Sequence, residues 1–223
     1  MNILSVYCHH EPSSLTSSLK NTATSILVAQ GHTVVEDDLY ASGFAAKAEK
    51  YDFTVLSGNH FNYMLEQRYA ANKDMAYAPD IKAEIQKLLK ADIILIHTPI
   101  WWLSVPALLK GWFDRVLTMG IAWDGGKIYE KGLLRGKIAM LCVVAGGPQE
   151  FYQPEGKHKA TMGQLLHPIH HGTLAFCGMD ILEPFVVYNS FGLSGAERAQ
   201  VLKDYQFHIE HLIDSPAYLQ KYD

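Results

Sequence analysis

Apolar positions along the chain follow two rhythms. Short aliphatic runs alternate with longer stretches in which apolar residues recur every three or four positions. The first run, residues 3–7, predicts a strand. Leu15, Leu19, Ala23, Ile26 and Leu27 then repeat at helical spacing over 14–30, after a Ser-rich start and before Gly31, a stop signal. Residues 32–39 predict a second strand. Pro79 and Asp80 open a helix over 81–90. Residues 92–97 are almost wholly apolar, as a central parallel strand covered on both faces should be. A helix is predicted over 105–117, with Pro106 in its first turn, where proline is tolerated. Residues 137–144 predict a fourth strand, closed by Gly146 and Gly147. A further helix falls within 161–176 and a last strand over 181–187. A closing helix is expected over 194–212, where Ser194 and Glu197 have capping-box spacing. Strands alternating with helices mean βαβ units on a parallel sheet. Five such strands predict an α/β doubly wound sheet of order 2-1-3-4-5 with helices on both faces.

Residues 41–80 break the alternation. They are aromatic and polar (Tyr51, Phe53, Phe61, Tyr63, Tyr69, Tyr77) and too long for an ordinary connection. They read as a functional insertion or one at an interface, that of a dimer above all, within one domain spanning 1–223. Composition narrows the class further. With 48% apolar and 19% charged residues the chain is no disordered segment. A net charge of −4 and no Lys/Arg-rich block argue against a nucleic-acid partner. Cys8, Cys142 and Cys177 are odd in number, lack C-x-x-C spacing and lie among apolar residues. They are expected to be reduced core thiols of a cytoplasmic protein. No signal-peptide pattern opens the chain. The uncharged stretch 93–109 holds His97, Pro99 and Pro106 and is too short to span a membrane. Left over are 11 His, 9 Phe, 12 Tyr and 4 Trp, many of them clustered.

In an open α/β sheet, ligands bind outside the carboxyl ends of the strands. That rule selects three loops. The one after strand 1, from Cys8 to Thr16, is rich in hydroxyls and enters a helix N-terminus. It suits an anion such as a pyrophosphate, with His9 as a further donor. The one after strand 3 sets Trp101 and Trp102 between Pro99 and Pro106, two rings able to wall a flat apolar ligand. The one after strand 4 pairs Gly146 with Gly147, where a backbone can approach a ligand closely. Tyr152 and His158 follow, a phenol and an imidazole able to stabilise developing negative charge. Each loop also has a plain structural reading: a capped helix start, core packing, a tight turn. No G-x-G-x-x-G follows strand 1 and no G-x-x-x-x-G-K-[ST] occurs, which removes classical dinucleotide and P-loop sites. His167, His170, His171 and the pair His208/His211 lack a carboxylate partner, and no metal is assigned to them.

The segment from Thr98 to Val116, TPIWWLSVPALLKGWFDRV, resembles the signature of the NAD(P)H:quinone oxidoreductase (DT-diaphorase) family. Ala145 to Tyr152 (AGGPQEFY) with His158, Phe176-Cys177-Gly178, Leu182-Glu183-Pro184, Asp38-Leu39-Tyr40 and Ala78 to Ile81 match it in order and spacing. The likeness covers nearly the whole chain. It implies a flavodoxin-like fold and a homodimer with non-covalent FAD (FMN as the alternative). The activity it implies is ping-pong hydride transfer from NADPH or NADH through the flavin to a quinone. By the same resemblance, His9, Leu15, Thr16 and Ser18 would hold the phosphates and nearby groups. Pro99, Ile100, Trp102, Leu103, Ala145, Gly146 and Gly147 would line the ring system. Asn62, from the partner subunit, and Arg198 would contact the adenosine side. Tyr152 and His158 would take the family's charge-relay roles, stabilising the anionic reduced flavin. Trp102, Trp123, Ile128, Phe151 and Phe176 would wall the substrate cavity.

Several positions depart from the animal members of that family. Leu103 stands where an aromatic is usual, Trp123 and Gly125 replace two gating tyrosines, and Gly192 replaces a histidine. Val144 and Ala145 replace two threonines, and the sequence ends at Asp223 without the tail of longer members. The expected cavity is more open and less polar, with the choice of donor left open. Two other roles compete: an ancillary flavin-binding subunit docked on a potassium-efflux transporter, and azo- or nitro-reduction.

Overall fold

The computed structural model describes residues 1–212 and the backbone of residues 219–220. The strands are β1 (Asn2–Tyr7), β2 (Thr33–Asp38), β3 (Ile93–Pro99), β4 (Ile138–Val144), β5 (Asp180–Leu182), β6 (Phe185–Val187) and β7 (Leu219–Gln220). The helices are α1 (Leu15–Ala29), α2 (Tyr63–Asn72), α3 (Pro79–Lys90), α4 (Ala107–Val116), α5 (Met162–Ile169) and α6 (Gly195–Glu210). The sheet runs β2-β1-β3-β4 and then β5 and β6, all parallel, which is the expected 2-1-3-4-5 order. β7 adds an antiparallel strand outside β5 that the hydrophobic pattern does not predict.

Both faces of the sheet are covered, and so β3 is buried along its whole length. On one face α1 and α6 set Leu19, Leu27, Tyr205 and Ile209 against Ile93, Leu95 and Met140. On the other, α3, α4 and α5 bring Ile85, Leu88, Trp112 and Leu166 against Ile94, Ile96 and Leu141. Each large side chain so buried contributes roughly 1.5–3 kcal/mol. The three cysteines lie inside this core as free thiols. Helix starts follow the local sequence. Ser14 caps α1, and the pairs Thr161/Gln164 and Ser194/Glu197 form capping boxes on α5 and α6. Pro106 caps α4 from outside with an extended ψ of 148°, one position earlier than the first turn expected for it. Pro168 removes an N–H from α5, and the chain runs on as a π-helical turn over His170–Ala175.

The single strand expected over 181–187 is divided. β5 pairs Ile181 with Ala139, whereas β6 pairs Phe185 with Cys142, so Leu182, Glu183 and Pro184 oppose only Met140 and Leu141. This is a one-residue bulge. Pro184 has no N–H for the ladder, which favours the break at this point. The extra residue reverses the side-chain alternation: Ile181, Val186 and Tyr188 share one face, and Leu182, Phe185 and Val187 the other.

The insertion contains α2, a helix that the apolar spacing does not reveal. Its pattern is inverted. Glu66 and Gln67 are buried, while Met64 and Leu65 are 52% and 48% exposed. The buried pair is fully used: the Ser57 N–H and hydroxyl donate to Glu66, Gln67 donates to the Asp114 carbonyl, and the Met119 N–H donates to Gln67. A buried ion pair ties the insertion to α4. Arg115 Nε and Nη2 donate to the two oxygens of Asp52 at 3.2 and 3.0 Å, and Tyr63 donates to Asp52 at 2.5 Å. Arg115 also reaches Asp80 at 3.1 Å and the Ala45 carbonyl at 2.7 Å.

Candidate functional site

A cleft of about 810 Å³ opens where the carboxyl ends of β1, β3, β4 and β6 converge. Four stretches build it: His9 with Ser14–Thr16, Pro99–Trp102, Val144 with Gly146, and Ser190–Phe191. Arg198 of α6 supplies a cation, and no carboxylate among the described residues lines the cleft. Its chemistry is that of a site for an anion joined to something flat and apolar.

The anion end comes from α1. Ser14 accepts the Ser17 N–H at 3.1 Å, and the helix ladder leaves the N–H groups of Leu15 and Thr16 unused. Free N–H groups and the helix dipole favour negative charge here. His9 is held below its ordinary pKa by burial and by the charge of His10. Its Nδ1 accepts the Glu11 N–H at 2.9 Å, so the neutral ring carries its proton on Nε2 and can donate. Arg198 is steadied by the Ser190 carbonyl at 2.9 Å. Ser18 turns away: its hydroxyl donates back to the Ser14 carbonyl at 3.2 Å.

The apolar end comes from the turn after β3. Trp101 and Ser104 exchange backbone hydrogen bonds of 2.8 and 3.1 Å across a two-residue turn. Trp102 and Leu103 therefore both take left-handed backbone, at φ 52° and 58°. Glycine or asparagine normally fills such positions, and each other residue costs roughly 1–2 kcal/mol. The turn holds the Trp102 side chain at 100% exposure, beside the cleft it lines. Leu103 instead packs against the core.

Gly146 lines the cleft and Gly147 follows it. A Cβ on Gly146 would collide with the Phe191 ring, and one on Gly147 would stand 3.1 Å from the Phe151 ring. Two aromatic rings from different loops thus rest on the glycine backbone. Ala145 is wholly buried, its N–H tied to the Val187 carbonyl, and supports the glycines that follow it. The Tyr152 and His158 rings approach to 4.8 Å, and Phe151 meets His158 edge-on at 5.6 Å. Burial raises the Tyr152 pKa, partly offset by a hydrogen bond to the Gly147 backbone.

Behind Tyr152 lies a smaller cavity of about 430 Å³, lined by His167, His170, Glu183 and Tyr188 among others. Burial pushes His170 down to about 4. Tyr152 and Gln153 bring it part of the loop after β4, but nothing from the loops after β1 and β3. The larger cleft is therefore the candidate site.

The remaining residues expected at the site stand apart from the cleft within one chain. Trp123 and Phe176 contact each other at 5.5 Å, and Tyr129, next to Ile128, contacts Phe176 at 5.4 Å. Asn62 caps α2 in the insertion by accepting the Leu65 N–H at 3.2 Å. The structure adds Ser190 and Phe191, the latter 91% exposed. They follow the last strand, so the carboxyl-end rule applied to four loops instead of three reaches them.

The sequence matches the flavodoxin-like fold family over residues 1–209. It is 43% identical over 188 residues to ribosyldihydronicotinamide dehydrogenase (quinone) of Homo sapiens, covering 83% of this chain and 80% of that protein. It is 37% identical over 218 residues to NAD(P)H dehydrogenase (quinone) 1 of Rattus norvegicus, covering 96% of this chain and 79% of that one. A solved chain from Klebsiella pneumoniae, described as a quinone reductase, superposes with a TM-score of 0.91 at 34% identity over 96% of this chain and 86% of its own. With this fold, these relatives and this cleft, the chain belongs to the NAD(P)H:quinone oxidoreductase family of flavodoxin-like proteins.

Proposed function

We propose that the protein is an FAD-dependent, cytoplasmic NAD(P)H:quinone oxidoreductase acting as a homodimer. One observation carries this reading: a single cleft joins an anion-binding helix start to an exposed tryptophan on a strained turn, without a carboxylate among its described lining residues. The residues present fit a flavin dinucleotide. Thr16, the α1 N–H groups, His9 and Arg198 would hold its pyrophosphate, and Pro99, Ile100, Trp102, Gly146 and Gly147 its ring system. When bound, the flavin supplies a centre that takes a hydride from NADPH or NADH and gives it to a quinone in a second half-reaction.

The protein's own part is binding, exclusion of water and control of a proton. Pro99, Ile100 and Trp102 offer an apolar wall that keeps water from the reacting faces. Burial keeps the Tyr152 hydroxyl protonated, so it can donate toward negative charge developing at the cleft. His158 lies close enough to share that load and exchange the proton with solvent. The apolar group Trp123, Ile128 and Phe176 would reach the site of a second copy, as would Asn62. The outward apolar side chains of the insertion (Val55, Leu56, Phe61, Met64, Leu65) support that dimer.

The test is direct. The purified protein should be yellow, release FAD on denaturation, and oxidise NADH or NADPH in the presence of benzoquinone. Protein that takes up neither FAD nor FMN overturns the reading. Co-purification with a membrane transporter in place of a self-dimer would assign the exposed insertion to that partner.

A further inference from the structure

Residues 153–159 fold back on Phe151 in a tight turn. The Gly156 N–H donates to the Gln153 carbonyl at 2.9 Å, the His158 N–H to the Phe151 carbonyl at 3.0 Å, and the Lys159 N–H to the Gly156 carbonyl at 3.2 Å. Gly156 has no room for a Cβ, which would run into the backbone of Glu150 and Phe151. Lys159 completes the reversal at φ 53°. This construction aims Lys157. Its ammonium stands 4.4 Å from the centroid of the Phe151 ring. That ring lies against Gly147, next to Gly146 of the cleft, and meets His158 beside Tyr152. One aromatic ring therefore links the paired glycines, the Tyr152/His158 pair and a cation.

Lys157 is exposed and belongs to none of the ion pairs among the described residues. The nearby carboxylates Glu150 and Glu155 are on the same segment and leave it unpaired. The Lys159 ammonium, the other cation of the turn, reaches the Glu155 carbonyl at 3.4 Å. A lysine held over a ring keeps its charge and its reach, and an anionic ligand can recruit it without breaking an existing ion pair.

We propose that Lys157 is a specificity-determining residue at the rim of the site, selecting substrates that carry an anionic group: a phosphate on the nicotinamide donor or an acid group on the quinone. The proposal rests on the quinone-reductase reading. A contact between exposed opposite charges is worth about a fivefold change in affinity and weakens with salt.

Two substrate pairs separate the sources. The donor pair is dihydronicotinamide mononucleotide against dihydronicotinamide riboside, with benzoquinone as acceptor. The acceptor pair is a naphthoquinone sulfonate against the unsubstituted naphthoquinone, with the riboside as donor. Lys157→Gln should raise KM about fivefold for the anionic member of one pair, with kcat and the neutral member unchanged. Lys157→Arg should restore it, and high salt should erase the wild-type preference. Whichever pair responds identifies the ligand. Equal effects on charged and neutral substrates, or none on either, overturn the proposal. The oxidised donors and both quinones are also titrated against tryptophan fluorescence in both proteins. A chain that reduces no quinone overturns the function, and these titrations still decide whether Lys157 prefers the anionic ligand.

Discussion

The turn at Trp102-Leu103 sets conformational cost against ligand contact, and replacing Trp102 by Asn separates the two. Both residues sit in left-handed backbone, at φ 52° and 58°. Asn tolerates that region and Trp does not, so relief at this one position is on the order of 1 kcal/mol. No packing is lost in exchange, because the Trp102 side chain is 100% exposed. In flavin-free protein Trp102→Asn should therefore be more stable, by about 2–4 °C in Tm for a domain of this size. With flavin the balance changes. Ligand stabilisation follows RT ln(1 + [L]/Kd), so a tenfold weaker Kd removes about 1.4 kcal/mol and cancels the gain. Calorimetry on stripped and FAD-saturated protein reads both limbs. A lower Tm in the stripped variant refutes the strain. An equal gain with and without FAD refutes contact between Trp102 and the ligand.

Tyr152→Phe and His158→Gln should lower the rate of flavin reduction in stopped flow while FAD stays bound; unchanged rates would remove both from the mechanism. Arg115→Met should cost roughly 3–5 kcal/mol, because it leaves the buried carboxylate of Asp52 without its cation, and urea unfolding measures it. Asp37 is buried, and that burial, with Glu84 beside it, outweighs the Lys87 ammonium at 2.8 Å and raises its carboxyl to about 7 from an ordinary 3.8. Its folded pKa lies above its unfolded one, so its contribution is full below pH 4 and is lost as pH rises toward 7. The Tm difference between wild type and Asp37→Asn should therefore move against wild type across that window, and a pH-independent difference would disprove it. Met64→Glu with Leu65→Glu should convert a dimer to monomer by light scattering without unfolding the chain, since both side chains already face water in the single chain.

The sheet order and the covering helices are legible because β1, β3 and β4 are largely apolar runs and α1, α3 and α4 carry an apolar stripe. The helix α2 is not, because its buried side chains besides Ala70 are Glu66 and Gln67, satisfied by Ser57, Asp114 and Met119. Nothing local marks a polar face as the inner one. Of the expected site residues, those directly beyond strand ends (His9, Pro99, Ile100, Trp102, Gly146) line the cleft together with Leu15, Thr16 and Arg198 from helix ends. Trp123, Ile128, Phe176 and Asn62 were reached only through family likeness, and no rule of strand ends could have joined them to that cleft. Phe191 lies beyond the last strand, outside the three loops that the carboxyl-end rule selects in the sequence, yet its ring rests on Gly146.

The bulge at Glu183-Pro184 makes the length of the last strand a tolerated variable. Side chains change sides with every residue counted, and the bulge absorbs the one that is extra, so losing a single codon there would leave Phe185 opposite Cys142 and everything downstream on its present face. Tyr188 would keep its place 5.4 Å from Tyr152, and Val187 its place toward α1 and α6. Loop grafting between relatives that differ by one residue at this point would therefore preserve the phenol next to the candidate proton donor.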